Sequence, residues 1–130
     1  MKYRHLSKAK TCNGKWVSGF LHCKDDKWYI SNKAGSPFAY EVRPDTICQC
    51  TGLKDKNGKL IWENDVVGFW DTYSTENGQA EMNCIGKVVW DDETISFQVT
   101  NRLSAESYEV LDECSVFGNI FDNPELIKEI

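Results

Sequence analysis

The chain has 130 residues, 41% of them hydrophobic and 27% charged, with a formal net charge of −5. That length fits one domain with one core, and the composition is that of a folded chain rather than a disordered one. The acidic balance excludes an overall footprint for nucleic acid, whose phosphates are held mainly by Lys and Arg.

No stretch approaches the roughly 20 apolar residues that span a bilayer, and the polar first twenty residues lack the apolar core of a signal peptide. The expectation is therefore a cytoplasmic protein without membrane contact. Its six cysteines are then read as free thiols, kept reduced by that compartment.

In chain order, Met1 to Leu6 is expected as a short first strand. Asn13-Gly14 predicts a two-residue hairpin turn, since both central positions favour positive φ. Trp16, Ser18, Phe20 and His22 alternate with Val17, Gly19, Leu21 and Cys23. Apolar members in both sets predict a central strand covered on both faces. Lys24 to Lys27 turns the chain into a return strand at Trp28-Tyr29-Ile30, and Ser31 to Pro37 is a loop by composition.

Phe38 to Val42 is a brief extended piece stopped by Arg43-Pro44, and Thr46 to Cys50 resumes as a strand. Asn57-Gly58 is a second turn signal, followed by a short buried piece at Ile61-Trp62 and a strand from Asp65 to Trp70. Asp71 to Asn83 is polar, without apolar periodicity, and reads as a long loop. Ile85 to Trp90 is a strand. Ile95, Phe97 and Val99 alternate with Ser96, Gln98 and Thr100, the clearest half-buried pattern in the chain. Leu103 to Leu111 fits helix or strand, and Cys114 to Ile120 is a last strand. Asn123-Pro124-Glu125 starts a short C-terminal helix, with Asn as cap and Pro at the first helical position. About nine strands with turns every 8–12 residues argue for an antiparallel barrel or sandwich. The fold class is mostly β.

Three stretches carry a family resemblance. The first runs from Asp45 to Asp65 through Gln49-Cys50-Thr51-Gly52-Leu53-Lys54-Asp55-Lys56-Asn57-Gly58-Lys59 and Glu63-Asn64-Asp65. The second is Gly86-Lys87-Val88-Val89-Trp90-Asp91-Asp92, and the third is Val116 to Leu126, containing Gly118-Asn119-Ile120 and Asn123-Pro124-Glu125-Leu126. In order and spacing they resemble the YopX family, small proteins mostly encoded by phages and prophages. The family usually has an aromatic residue at the place of Cys50 and a glycine at that of Asn64. The resemblance implies one YopX-like domain over 1–130, with an N-terminal hairpin lobe to about residue 42. A small SH3-like barrel follows from about 43 to 123. It implies no biochemical activity.

The sequence offers four candidate sites. Cys48 and Cys50, with His22, Cys23 or Cys12, hold ligand types that zinc prefers. Their one-residue spacing and the lack of a second Cys-x-x-Cys point to inert thiols instead, so no cofactor or metal is expected. Glu63, Asp65, Asp91, Asp92 and Glu93 would form an acidic centre if two turns converged, but acidic turns are ordinarily solvated. His5 and His22 lack any nucleophile arrangement, and Lys56-Asn57-Gly58-Lys59 lacks the spacing of a phosphate loop. The last candidate is an aromatic surface around Trp62, Trp70, Tyr73 and Trp90, beside Phe69. Most of these rings are expected in the core, with Trp70 and Tyr73 the choice for exposure.

The preferred reading is a non-enzymatic phage or prophage accessory protein of the host bacterial cytoplasm. It acts through a protein partner, and association with copies of itself is compatible with its edges and rings. The alternative is a nucleic-acid-binding small barrel with a local basic face built from Arg4, Lys8, Lys10, Arg43, Lys54, Lys56 and Lys59.

Overall fold

The computed structural model describes residues 6–31, 39–101, 108–110 and 113–129, the side chains of 71–73, 108–109 and 129 aside. It divides into two compact units, Met1–Gly52 and Leu53–Ile130. The division thus falls later in the chain than the lobe boundary expected near residue 42. Both units are antiparallel β-structure.

The first unit holds β1 (Ser7–Lys10), β2 (Trp16–Lys24), β3 (Lys27–Ser31), β4 (Ala39–Val42) and β5 (Cys48–Lys54), whose last two residues enter the second unit. Their order in the sheet is β4-β3-β2-β1-β5. The turns follow local chemistry. Gly14 takes φ +80° between β1 and β2, but Asn13 does not take positive φ and the connection runs from Thr11 to Lys15, so it is not the two-residue turn expected. Asp25 and Asp26 take φ 52° and 65° between β2 and β3. Two successive positive φ values match the right-handed twist of a hairpin, and Asp tolerates them better than most residues. The β4 end meets the β1 end at one bridge, Thr11 to Val42, reinforced where Arg43 N–H donates to Lys10 O at 2.8 Å. Ala9, Ile30 and Val42 form the core, with Val17, Leu21, Trp28 and Ile47 packed on it. β2 is central by position, yet of its residues Gly19 alone is buried, so it is not covered on both faces.

The second unit contains β6 (Leu60–Trp62), β7 (Asp65–Thr75), β8 (Gly78–Asp91), β9 (Ser96–Thr100), β10 (Tyr108–Glu109) and β11 (Ser115–Asn119). The last five form a sheet in the order β10-β9-β8-β7-β11. Val67, Val88, Phe97 and Val99 point to one face and join Ile61, Val110 and Cys114 in the core.

Three expectations are corrected. Among the described residues the sheet does not close into a barrel, and no SH3-like barrel is seen. Closure joins the two edge strands of a sheet, and among the described residues no pairing joins β10 to β11. Secondly, Asp71 to Asn83 is a β-hairpin arm rather than a loop, with unbroken pairing from Phe69↔Cys84 to Thr75↔Gly78. Backbone hydrogen bonds hold such a ribbon, so it needs no apolar alternation to form. Finally, Pro124–Glu129 is a 3₁₀ segment, not an α-helix. Six residues are too few to repay helix nucleation. Met1–His5, most of the Ser31–Pro37 loop and most of Leu103–Leu111 lie outside the described residues.

Candidate interaction surface

The signature turn is structural. Asp55 is buried, and its Oδ1 accepts the backbone N–H groups of Asn57 and Lys59, each at 2.9 Å. Its Oδ2 accepts the N–H of Val116 at 2.9 Å, while Lys56 N–H donates to Cys114 O at 3.0 Å. Burial alone would raise the Asp55 pKa. The donors from Val116, Lys59 and Asn57, with the Lys59 charge, outweigh it and hold the carboxyl below the usual carboxylate range.

Three of the five acidic candidates, Asp65, Asp91 and Asp92, are likewise occupied with their own turns. Asp65 is buried and its Oδ2 accepts the N–H of Trp62 at 2.9 Å. Asp91 Oδ1 accepts the Glu93 N–H, and Asp92 Oδ1 accepts Trp90 Nε1–H at 2.8 Å. Of the thiols, Cys48 and Cys50 are buried while Cys12 and Cys23 are exposed. The Cys48 thiol lies 3.4 Å from Thr46 O, and His22 stacks on Tyr29. Among the described residues no group of three or more His, Cys, Asp or Glu side chains is arranged to hold a metal ion.

The basic candidates divide between the units. Lys8, Lys10 and Arg43 belong to the first, and Lys54, Lys56 and Lys59 to the second. Lys8 and Lys10 place their ammonium groups 4.7 and 5.4 Å from the Trp16 ring centroid. Arg4 lies outside the described residues.

The aromatic candidates separate by burial. Trp62 is 9% exposed and belongs to the interior, so it is withdrawn as a surface residue. Trp90 packs against the second core and meets Phe97 edge-to-face at 5.0 Å between centroids. Trp70 is 67% exposed. Tyr73 pairs with Ala80 in the arm, and its side chain is outside the described residues.

Trp70 shares its face with an aromatic that sequence reasoning missed. In β7, Val67 and Phe69 turn to the core, so Gly68 and Trp70 look the other way. Opposite them on β8 stand Ile85 and Asn83, on the same outer face. A Cβ on Gly68 would enter the Phe117 ring, which places that ring across this face too. Phe117 is 53% exposed. It is the extra residue where the β11–β7 register shifts between Val116 and Gly118. Such a bulge re-aims a side chain. Val116 keeps its place in the core while Phe117 turns outward.

The C-terminal turn supplies the other wall. Asn119 Oδ1 accepts the N–H groups of Phe121 and Asp122, each at 2.9 Å, and Asn123 Oδ1 accepts that of Asn119 at 3.2 Å. Gly118 has no room for a Cβ because the Asn123 carboxamide fills that space. The chain is thereby led back along the sheet at Leu126. The result is an open groove of about 380 Å³ lined by Asn83, Ile85, Phe117, Asn123, Glu125 and Leu126. The signal in the sequence was Gly118 beside Phe117 and the Asn-rich turn after it, though neither reveals the bulge.

Comparison with known proteins finds a family model and solved structures that match. The family model described as YopX protein matches residues 2–128. Among solved structures, the chain is similar to the crystal structure of protein EF1440 from Enterococcus faecalis, at 23% identity and a TM-score of 0.50. That similarity covers 95% of this chain and 96% of the other, and at this identity it speaks for the fold alone. No curated protein matches the chain.

Proposed function

The chain belongs to the YopX family, and from that membership we propose a phage or prophage accessory protein that acts by protein–protein contact rather than catalysis. Its place of action is the cytoplasm of the bacterial host. One observation carries the contact reading: Trp70 and Phe117, both more than half exposed, share the outer face of one sheet beside that groove. Burying such a ring contributes about 1.5–3 kcal/mol, which this fold forgoes twice on one face. Exposed aromatics grouped beside a pocket are what interface anchors require. The catalytic alternative gains no support from Asp65, Asp91 and Asp92, which accept hydrogen bonds within their own turns.

The test is capture from host lysate with wild type, Trp70→Ser and Phe117→Ser, each with and without nuclease. The expected result is a protein held by wild type in both arms and lost by the two variants, whose circular dichroism matches wild type. Retention indifferent to both substitutions, or nucleic acid recovered from the untreated arm alone, overturns the reading.

A further inference from the structure

The groove is maintained by features that add nothing to the core. The register shift at Phe117 interrupts the β11–β7 ladder. Gly68 leaves open the space that the ring occupies, and Gly118 does the same for the Asn123 carboxamide. Together they hold an aromatic ring in water beside Ile85 and Leu126, with Trp70 two cross-strand pairs beyond on the same face, opposite Asn83.

Charge selects the occupant. The arm from residue 71 to 83 carries Asp71, Glu76 and Glu81 and no Lys or Arg. Glu81 is exposed, and pairing opposite Thr72 places it on the face of Trp70. At the other end, Asp122 and Glu125 are exposed beside the groove. On β7, β8, β11 and the 3₁₀ segment the cations are Lys87, half-buried opposite Val66, and Lys128, beyond Glu125. A second copy of the chain would bring the same acidic arm against this acidic rim, and a nucleic acid would bring phosphates. Like charges across an interface disfavour both. A cationic segment meets no such opposition.

We infer that the groove receives a bulky apolar side chain from an extended, basic segment of a protein partner, seated between Phe117, Ile85 and Leu126 with its flanking cations on Glu81, Asp122 and Glu125. This rests on the contact reading above and names the partner's chemistry. Lys and Arg on both sides of one Leu or Phe describe the segment.

The experiment titrates the full-length, isotope-labelled protein with three synthetic peptides followed by amide chemical shifts. One peptide has a central leucine flanked by two lysines on each side. The second replaces the lysines with glutamates, and the third replaces the leucine with alanine. The expected result is saturable shifts at Asn83 to Ile85, Val116 to Gly118 and Glu125 to Leu126 with the first peptide. Each control should bind at least about tenfold more weakly, the loss that removal of one anchor typically brings. Leu126→Asp and Phe117→Ser should weaken the first peptide about tenfold or more. Leu126→Asp alters a half-buried edge and keeps the test available if Phe117→Ser unfolds.

Absence of saturation, equal binding of the acidic peptide, or shifts elsewhere overturns the inference. So does a dimer in sedimentation that Trp70→Ser abolishes, which would assign the face to a second copy. Face-dependent capture from lysate without peptide binding would leave the contact reading standing and remove only the basic segment. Peptide binding with capture indifferent to the face would do the reverse.

Discussion

Asp55 and Val116 lie 61 residues apart in sequence, yet the carboxylate of one accepts the backbone N–H of the other at 2.9 Å. This bond joins the Asn57-Gly58 turn to the start of β11, the strand that carries Phe117. Hydrogen bonds to a charged group are worth about 1.5–3 kcal/mol, more than neutral ones. In Asp55→Asn, one amide oxygen still serves Asn57 and Lys59, while the new NH₂ faces the Val116 N–H. We expect a loss of about 2–3 kcal/mol, measured by urea unfolding at pH 7.

The same carboxylate sets an acid dependence. Its pKa is lowered in the folded state from a reference of 3.8. Its stabilising contribution is therefore complete above pH 3.8 and falls away as pH drops through the folded value. Asp55→Asn cannot titrate there. The stability gap between wild type and variant should narrow below about pH 4, as followed by urea midpoints from pH 7 to pH 2.5. A gap that stays constant would show that the charge contributes nothing.

Gly68 and Phe117 should behave as a coupled pair. A Cβ at Gly68 enters the Phe117 ring, so Gly68→Ala must displace the ring at an overpacking cost of about 1–3 kcal/mol. In a Phe117→Ala background that cost should fall by more than half. A double-mutant cycle on unfolding free energies reads the coupling directly. Additive effects would mean that the ring yields freely and that the glycine does not position it.

Ile95 sits in the β8–β9 turn at φ 53° with 73% of its surface exposed. A β-branched residue with left-handed backbone is strained by about 1–3 kcal/mol, and its exposure recovers little by burial. Ile95→Gly relieves that strain at a backbone-entropy cost of about 0.5–1 kcal/mol. The expected outcome is a net gain of about 0.5–1.5 kcal/mol and a higher Tm by calorimetry. A lower Tm would reveal an interaction of the side chain that its exposure conceals.

Trp62 and Trp70 offer a paired control within one unit. Trp62→Ala removes a buried ring and should cost about 3–5 kcal/mol. Trp70→Ala removes an exposed one and should change stability by no more than about 0.5 kcal/mol. Equal costs in thermal unfolding would mean that Trp70 is packed rather than presented.

What the sequence determined by itself is the local part of this structure. Asn13-Gly14 and Asn57-Gly58 turn the chain with both glycines at φ +80°, though neither Asn takes the positive φ of a two-residue hairpin turn; turn position depends on the few residues that adopt it. Asn64 stands where the family usually has glycine and takes φ 71°, a conformation Asn tolerates. Of the alternating Ile95, Phe97 and Val99, the last two stand in a strand and reach the core, while Ile95 falls in the turn before it and Gln98 is buried as well. The mostly β class and the family were legible from such features and from the three quoted stretches.

Tertiary structure alone decided the rest. The arm over residues 71–83 is held by pairing across β7 and β8, which leaves no apolar period to read. Whether a ring is core or surface depends on what packs over it, so Trp62 and Trp70 look alike as text and differ in the fold. The outward turn of Phe117 needed a register shift against β7 and open space above Gly68. Those determinants lie far along the chain from the residue they orient, and local preference carries no record of them.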